Sequence, residues 1–182
     1  MYKKIQVAVF GGGCFWCTEA VFAELLGVES AVPGYAGGHK QNPTYYEVCS
    51  GTTGHAEVIR VEFNPELIGY RDLLDVFFAT HDPTSLDRQG ADKGSQYHSI
   101  VLYTSEEQKA VAEASIRDLE GSTYSPGQIV TDVKPLDTYY PAEADHKNFY
   151  ANNPGSMYCQ LVISPKLQKF RKEFSCRLRE SG

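Results

Sequence analysis

The side chains best suited to covalent chemistry are those of Cys14 and Cys17, two cysteines separated by two residues. Cys14 follows three consecutive glycines and opens a segment of helical periodicity that extends to residue 26, so its sulfur is expected at a helix N-terminus. Backbone N–H groups and the helix dipole favour a thiolate at such a position. The sequence therefore predicts that Cys14 acts as a nucleophile.

The spacing of these two cysteines is, by itself, typical of several uses. It is half of a zinc site, for which Cys49, His39 and His55 are further candidates, although they lack a second closely spaced pair. It is also the spacing of a thioredoxin-like redox dithiol. Cys17 and Cys49 fit a third description, as small buried apolar residues. The spacing alone leaves these interpretations open.

Aromatic and acidic residues offer partners for a reactive thiol. Phe15 and Trp16 are large enough to shape an apolar pocket, although they are equally suited to the core. Glu57 precedes a run of apolar residues, which places it at the start of a buried strand. Desolvation there raises the pKa of a carboxyl group and keeps it protonated, as a general acid must be. A glutamate at a solvated strand end would instead be ionised.

Strands and helices alternate along the rest of the sequence. The predicted strands are residues 5–10, 28–32, 55–64, 97–103, 129–136 and 158–163, and the predicted helices are residues 14–26, 70–81, 104–119, 143–150 and 165–178. Residues 33–54 and 84–96 are polar and rich in glycine, which predicts long functional loops. No repeat or linker divides the chain, so we expect one α/β domain over residues 1–182, built as a two-layer mixed sheet with helices on one face.

Composition excludes several classes of function. The chain has 182 residues, is 42% hydrophobic and has no apolar run long enough to cross a bilayer, so we expect a water-soluble protein that does not bind membranes. A net charge of -6 offers no surface for nucleic acid. The apolar segment at residues 5–10 is too short for a signal peptide, and five cysteines, an odd number, suit a reducing compartment. These features predict a cytoplasmic protein.

Four separated segments resemble the A-type methionine sulfoxide reductases, in the same order and at similar spacing. They are Gly13-Cys14-Phe15-Trp16, Gly34-Tyr35-Ala36-Gly37-Gly38, residues 45–57 (YYEVCSGTTGHAE) and residues 92–99 (DKGSQYHS). The similarity covers nearly the whole chain and is far more specific than the cysteine spacing. It implies an α+β fold with a ferredoxin-like core and long functional loops, and an oxidoreductase that uses no metal and no organic cofactor.

The resemblance also implies a role for individual residues. Cys14 would attack the sulfur of the S epimer of free or protein-bound methionine sulfoxide, and Glu57 would protonate the departing oxygen. Tyr45 and Tyr97 match the tyrosines that hydrogen-bond that oxygen. The reaction requires an acid and hydroxyl donors of this kind, because a sulfoxide oxygen is a poor leaving group unless it is protonated.

Further positions match the walls of the site. Phe15 and Trp16 correspond to the aromatic pocket for the substrate methyl group, and Asp92 corresponds to an acidic residue that lines the site. The chain departs from the family at His98, where many members have arginine. Strand alternation predicts that His98 points away from Tyr97 and has little effect on the chemistry.

The oxidised enzyme must then be recycled. Attack by Cys14 leaves a sulfenic acid, with which a second thiol condenses to form a disulfide. Cys159 lies in a segment that resembles the one bearing the resolving cysteine in many members, but it precedes a predicted strand. Cys176, near the C-terminus, is expected to be more mobile. Cys17 is expected one helical turn inward, facing the core, and Cys49 matches a family position with no resolving role. We therefore rank Cys159 ahead of Cys176, keep an external thiol as an alternative, and expect a monomer recycled by thioredoxin or a similar reductant.

Overall fold

The computed structural model describes residues 4–180. Its strands are β1 (Gln6–Gly11), β2 (Val28–Ala36), β3 (Ala56–Phe63), β4 (Arg88–Gln89), β5 (Asp92–Lys93), β6 (Ile100–Tyr103), β7 (Asp132–Pro135) and β8 (Tyr139–Pro141). Its α-helices are α1 (Phe15–Phe22), α2 (Tyr45–Cys49), α3 (Tyr70–Ala79), α4 (Glu106–Ser122), α5 (Phe149–Asn152) and α6 (Ser164–Glu173). No helix in this range is long and apolar enough to cross a membrane.

Six of the strands form one mixed sheet in the order β7-β6-β1-β3-β2-β8. β6 and β7 pair in parallel through the crossover helix α4, and the other neighbours pair antiparallel. The four strands β6-β1-β3-β2, connected through α1 and α3, have the order and βαββαβ connectivity of a ferredoxin-like fold. The predictions of a mixed sheet and of a ferredoxin-like core are confirmed.

The helices pack on one face of this sheet. Strand alternation places Ala8 and Phe10 of β1 in the larger apolar cluster, which also contains residues of α1, α3, α4 and α6. Val9 lies in a smaller cluster on the opposite face that contains no helical residue of the described range. The ring of Phe10 stacks on Phe22 at 5.5 Å and on Phe77 at 5.0 Å between centroids, which ties α1 and α3 to the centre of the sheet.

The strand predicted over residues 158–163 is wrong. Cys159–Ile163 forms one π-helical turn that runs directly into α6. A short apolar run does not by itself distinguish a buried strand from a helix, and here Leu161 is 68% exposed. Pro165 explains the wider turn, because it lacks the N–H that an α-helical bond back to Leu161 would need.

The long loop predicted over residues 33–54 also contains regular structure. β2 continues to Ala36, and α2 follows a capping box in which Thr44 Oγ1 accepts from the Glu47 N–H and Glu47 Oε2 accepts from the Thr44 N–H. The threonine-x-x-glutamate pattern of this box was present in the sequence. The second predicted loop carries the hairpin of β4 and β5.

Candidate active site

A glycine turn joins β1 to α1 and presents Cys14. Gly13 has φ +92, a left-handed conformation that favours glycine, and a Cβ there would lie 2.8 Å from the Gln89 side chain. A Cβ on Gly12 would lie 2.9 Å from His81. Cys14 is the N-cap of α1, and its carbonyl accepts the Cys17 N–H at 3.1 Å. The helix N-terminal position predicted for Cys14 is confirmed.

The Cys14 and Cys17 thiols affect each other's ionisation. Burial and interaction with Cys17 raise the pKa of Cys14 well above its usual value, and interaction with Cys14 lowers the pKa of Cys17 to about 7. The first ionisation belongs to the pair and not to either cysteine alone. A thiolate is therefore available at this pair near neutral pH, and the N-terminus of α1 stabilises negative charge at this end of the helix.

Glu57, the second residue of β3, supplies a buried carboxyl group beside this pair. The side chain is 1% exposed, and its Oε1 accepts the Phe15 N–H at 3.1 Å. Burial raises the pKa of Glu57 to about 8, against the lowering effect of that hydrogen bond, and the charges of Asp92 and Cys17 raise it further. The expected burial is confirmed, and the carboxyl group is protonated at neutral pH. Glu57 is therefore able to donate a proton.

Two tyrosine hydroxyl groups face Glu57. Tyr45 is the first residue of α2, and its N–H donates to Glu143 Oε2 at 2.9 Å. Tyr97 ends a 3-10 helix (Ser95–Tyr97) instead of opening a strand as predicted. Burial raises the pKa of both hydroxyls, and a hydrogen bond with Cys49 raises that of Tyr45 further. Both side chains therefore remain O–H donors.

The two aromatic residues after Cys14 differ in exposure. Phe15 is fully buried, with its ring 5.7 Å from that of Tyr35. Trp16 is half-buried and stacks on Phe149 with the rings 3.7 Å apart and 6° from parallel, and its Nε1–H donates to His146 Nδ1 at 3.1 Å. Phe149 and His146 were missed by the sequence reasoning, because their contacts with Trp16 span some 130 residues.

Tyr158 is a further site residue that the sequence reasoning missed. Its hydroxyl donates to Asp92 Oδ2 at 2.8 Å and lies 3.6 Å from Cys17 Sγ, and it lowers the pKa of Cys14 through a hydrogen bond. Asp92, at the start of β5, is thereby joined to the thiol pair. In the sequence, Tyr158 directly precedes Cys159, in the segment that resembles the one bearing the resolving cysteine of the family. That resemblance therefore indicated Tyr158 as well as Cys159.

The three other cysteines lie in different surroundings. All five cysteines are free thiols. Cys159 is fully buried in the larger apolar cluster, and its N–H donates to Ser156 Oγ at 3.1 Å. Cys176 is exposed, in a 3-10 helix near the C-terminus. Cys49 is half-buried, at the last residue of α2.

His98 lies outside the site, but for a different reason from the one predicted. Strand alternation does not apply, because Tyr97 ends a 3-10 helix (Ser95–Tyr97). The imidazole instead bridges two carboxylates, with Nδ1 3.1 Å from Asp87 Oδ1 and Nε2 2.7 Å from Asp132 Oδ2. His98 thus links the second loop to the start of β7.

The zinc interpretation needs ligands that converge. Over residues 4–180, no group of three or more histidine, cysteine, aspartate or glutamate side chains is arranged to hold a metal ion. His55, one of the candidates, is engaged elsewhere: its Nδ1 accepts the Gly38 N–H at 3.0 Å and its Nε2 lies 2.7 Å from the Lys40 carbonyl oxygen.

The ferredoxin-like core, the thiol pair at the start of α1 and the buried carboxyl group hydrogen-bonded to the first amide of that helix define a thiol-dependent reductase. Comparisons with known proteins agree. The sequence model described as peptide methionine sulfoxide reductase matches residues 6–178. The chain is 55% identical over 174 residues to the peptide methionine sulfoxide reductase MsrA of Thermus thermophilus, covering 96% of this chain and 98% of that protein. It is 53% identical to the MsrA of Ralstonia nicotianae, covering 97% and 94%.

Solved structures give the same result. Mxr1 from Saccharomyces cerevisiae in reduced form superposes with a TM-score of 0.80 at 32% identity, covering 86% of this chain and 90% of that one. Methionine sulfoxide reductase A of Corynebacterium diphtheriae also has a TM-score of 0.80 at 32% identity, covering 85% and 78%. The chain belongs to the peptide methionine sulfoxide reductase family. It is an oxidoreductase that reduces methionine sulfoxide.

Proposed function

We propose that this protein reduces the S epimer of methionine sulfoxide, free or within proteins, and thereby repairs oxidised proteins. The observation that carries the proposal is the buried, protonated Glu57, which is hydrogen-bonded to the first amide of the helix that Cys14 caps. A nucleophile and an acid are thereby held together at one helix end.

The first half-reaction transfers the oxygen from substrate to enzyme. Cys14 attacks the sulfoxide sulfur while Glu57 gives its proton to the oxygen, with Tyr45 and Tyr97 donating hydrogen bonds to that oxygen. The attack forms a bond between Cys14 Sγ and the substrate sulfur, which still carries the protonated oxygen. The hydroxyl group then passes from the substrate sulfur to Cys14 Sγ as the bond between the two sulfurs breaks, so methionine leaves and Cys14 becomes a sulfenic acid. No external electron donor is needed in this step, because the thiol is oxidised as the sulfoxide is reduced.

The walls of the site explain a preference for one epimer. Trp16, with the buried ring of Phe15 packed next to it, offers apolar surface to the methyl group, and the hydroxyl donors occupy the side of the oxygen. Asp92 accepts the hydrogen bond of the Tyr158 hydroxyl, which holds that oxygen 3.6 Å from Cys17 Sγ. A methyl pocket on one side and oxygen donors on the other fit only one configuration at the sulfoxide sulfur.

We assign the resolving role to Cys17, in place of Cys159 and Cys176, the two candidates from the sequence. Residues three apart at the start of a helix lie on one face, with Cβ atoms about 5–6 Å apart, so these atoms must approach by about 1–2 Å to reach the roughly 3.5–4.5 Å of a disulfide. Interaction with Cys14 lowers the pKa of Cys17 to about 7, which gives Cys17 thiolate character. Cys159 is buried in the same apolar cluster but in the π-helical turn before α6, and Cys176 is exposed.

One turnover without reductant tests this assignment. We expect one equivalent of methionine per protein and an internal disulfide that joins Cys14 to Cys17, because the sulfenic acid condenses with the neighbouring thiol. Mass spectrometry of the alkylated, digested protein identifies the bridge. The Cys17→Ser variant should instead accumulate sulfenic acid, whereas Cys176→Ser, the matched control, should form the same bridge as the wild type. A bridge from Cys14 to Cys159 or Cys176 would refute the assignment.

Recycling completes the cycle. We propose thioredoxin or a similar dithiol protein as reductant, and a solved structure of yeast Mxr1, 23% identical, contains Trx2. Five free cysteines support a reducing compartment, the cytoplasm, as the place of action. We also propose a monomer. Exposed large apolar side chains such as Tyr46, Leu67 and Leu86 come from different segments of the chain, whereas a stable dimer needs one contiguous apolar patch.

A further inference from the structure

A cleft reaches the thiol pair between the side chains of α3, α4 and α6. Its volume is about 1130 Å³, and its walls include Cys14, Cys17, Phe78 of α3 and Phe170 of α6. Glu57, Tyr45, Tyr97 and Trp16 are not among the described residues that line it. Asp92 and Tyr158 line the cleft as well, so the cleft shares one edge with the sulfoxide side of the site and extends from the sulfurs toward α3, α4 and α6.

The cleft carries a lysine beside Cys17. Lys166, half-buried in the first turn of α6, lines the cleft together with Cys17, and both also line a small interior void with His81. The charge of Lys166 lowers the pKa of Cys17. Within residues 4–180, no ion pair neutralises this ammonium group. An anion that enters the cleft would meet an unpaired positive charge next to the sulfur.

Two exposed apolar side chains line the cleft, together with the exposed charged side chains of Lys169 and Glu173. Leu161 and Val162 project from the π-helical turn and are 68% and 36% exposed. The volume is larger than a small thiol would fill and suits an extended peptide segment. Exposed apolar side chains around such a cleft are typical of a protein contact.

We propose that a dithiol protein docks in this cleft and reduces the Cys14–Cys17 disulfide from this side, with Lys166 facing its attacking thiolate. The proposal rests on that disulfide, as assigned above. The partner thiolate bonds to one sulfur of the bridge, and the other leaves as a thiolate. The second partner thiol then displaces the enzyme sulfur and closes the partner disulfide, so two electrons and two protons pass to the enzyme.

Variants of the cleft test the proposal with thioredoxin as the probe. We expect Lys166→Glu and Leu161→Glu each to lower kcat/KM for thioredoxin by roughly tenfold or more, because the first repels the thiolate and the second disrupts the apolar contact. The matched controls are Lys172→Glu, exposed on the same helix, and Leu67→Glu, 56% exposed; both residues lie outside the cleft, and both variants should stay within about twofold of wild type.

Two further measurements separate this proposal from the proposed function. Methionine formed in a single turnover without reductant should be unchanged in Leu161→Glu and in both control variants, and Leu161→Glu should keep its rate with dithiothreitol, which needs no docking surface. Equal effects of cleft and control variants on the thioredoxin reaction would overturn the docking site. Absence of the Cys14–Cys17 bridge in the wild-type single turnover would instead overturn the assignment on which it rests.

Discussion

Replacing Cys14 by serine should abolish the reduction of methionine sulfoxide, with a loss of at least about a thousandfold, because a hydroxyl group remains neutral where a thiol ionises. The fold should hold, since serine is among the preferred N-cap residues and Cys14 is the N-cap of α1. The measurement is the initial rate of methionine formation with thioredoxin or dithiothreitol as reductant.

Cys176→Ser is the control for this prediction. Cys176 is exposed and lies in a separate 3-10 helix, so its replacement should leave the rate within about twofold of wild type. A rate for Cys14→Ser within tenfold of wild type would remove Cys14 from the role of nucleophile.

Glu57→Gln should lower the rate by about 10² to 10⁴, the usual contribution of general acid catalysis. The amide oxygen still accepts the Phe15 N–H, so the geometry is retained and only the transferable proton is lost. Because Glu57 has a pKa raised to about 8, the wild-type rate of the chemical step should fall as pH rises through about 8. Glu57→Gln should show no such fall. A thioredoxin-like dithiol enzyme would not depend on Glu57, so an unchanged rate in this variant would contradict the acid role.

A stability measurement on the same variant separates lost chemistry from lost structure. Because the folded state raises the pKa of Glu57 to about 8, it binds a proton that the unfolded chain has already released, and stability falls as pH rises from the unfolded value toward 8. Glutamine carries no such cost. Glu57→Gln should therefore melt at a higher temperature than wild type above pH 8, and a lower melting temperature there would mean that the substitution damages the fold.

Local patterns in the sequence predicted much of this site. The glycine turn and the helix that follows predicted the position of Cys14, and the apolar run after Glu57 predicted its burial. The proximity of Cys14 and Cys17 was also accessible, because residues three apart on a helix share a face. These features depend on residues that are close in sequence.

Other parts of the site depend on contacts between distant segments. Tyr158 reaches Cys17 across 141 residues, and His146 reaches Trp16 across 130. A single sequence has no periodicity that reports such pairs. The helical state of residues 159–163 was missed for another reason. A short apolar run fits a buried strand or a helix equally well, and only the packing of α6 shows that Leu161 points to solvent.

The most direct test of the central claim uses the two epimers of a methionine sulfoxide substrate, purified separately and offered to the wild type and to Cys14→Ser. The account predicts that the wild type reduces the S epimer at least about a hundredfold faster than the R epimer, because the oxygen donors and the methyl pocket accept one hand at sulfur. It predicts that Cys14→Ser reduces neither. Comparable wild-type rates on both epimers, or turnover by Cys14→Ser, would contradict it.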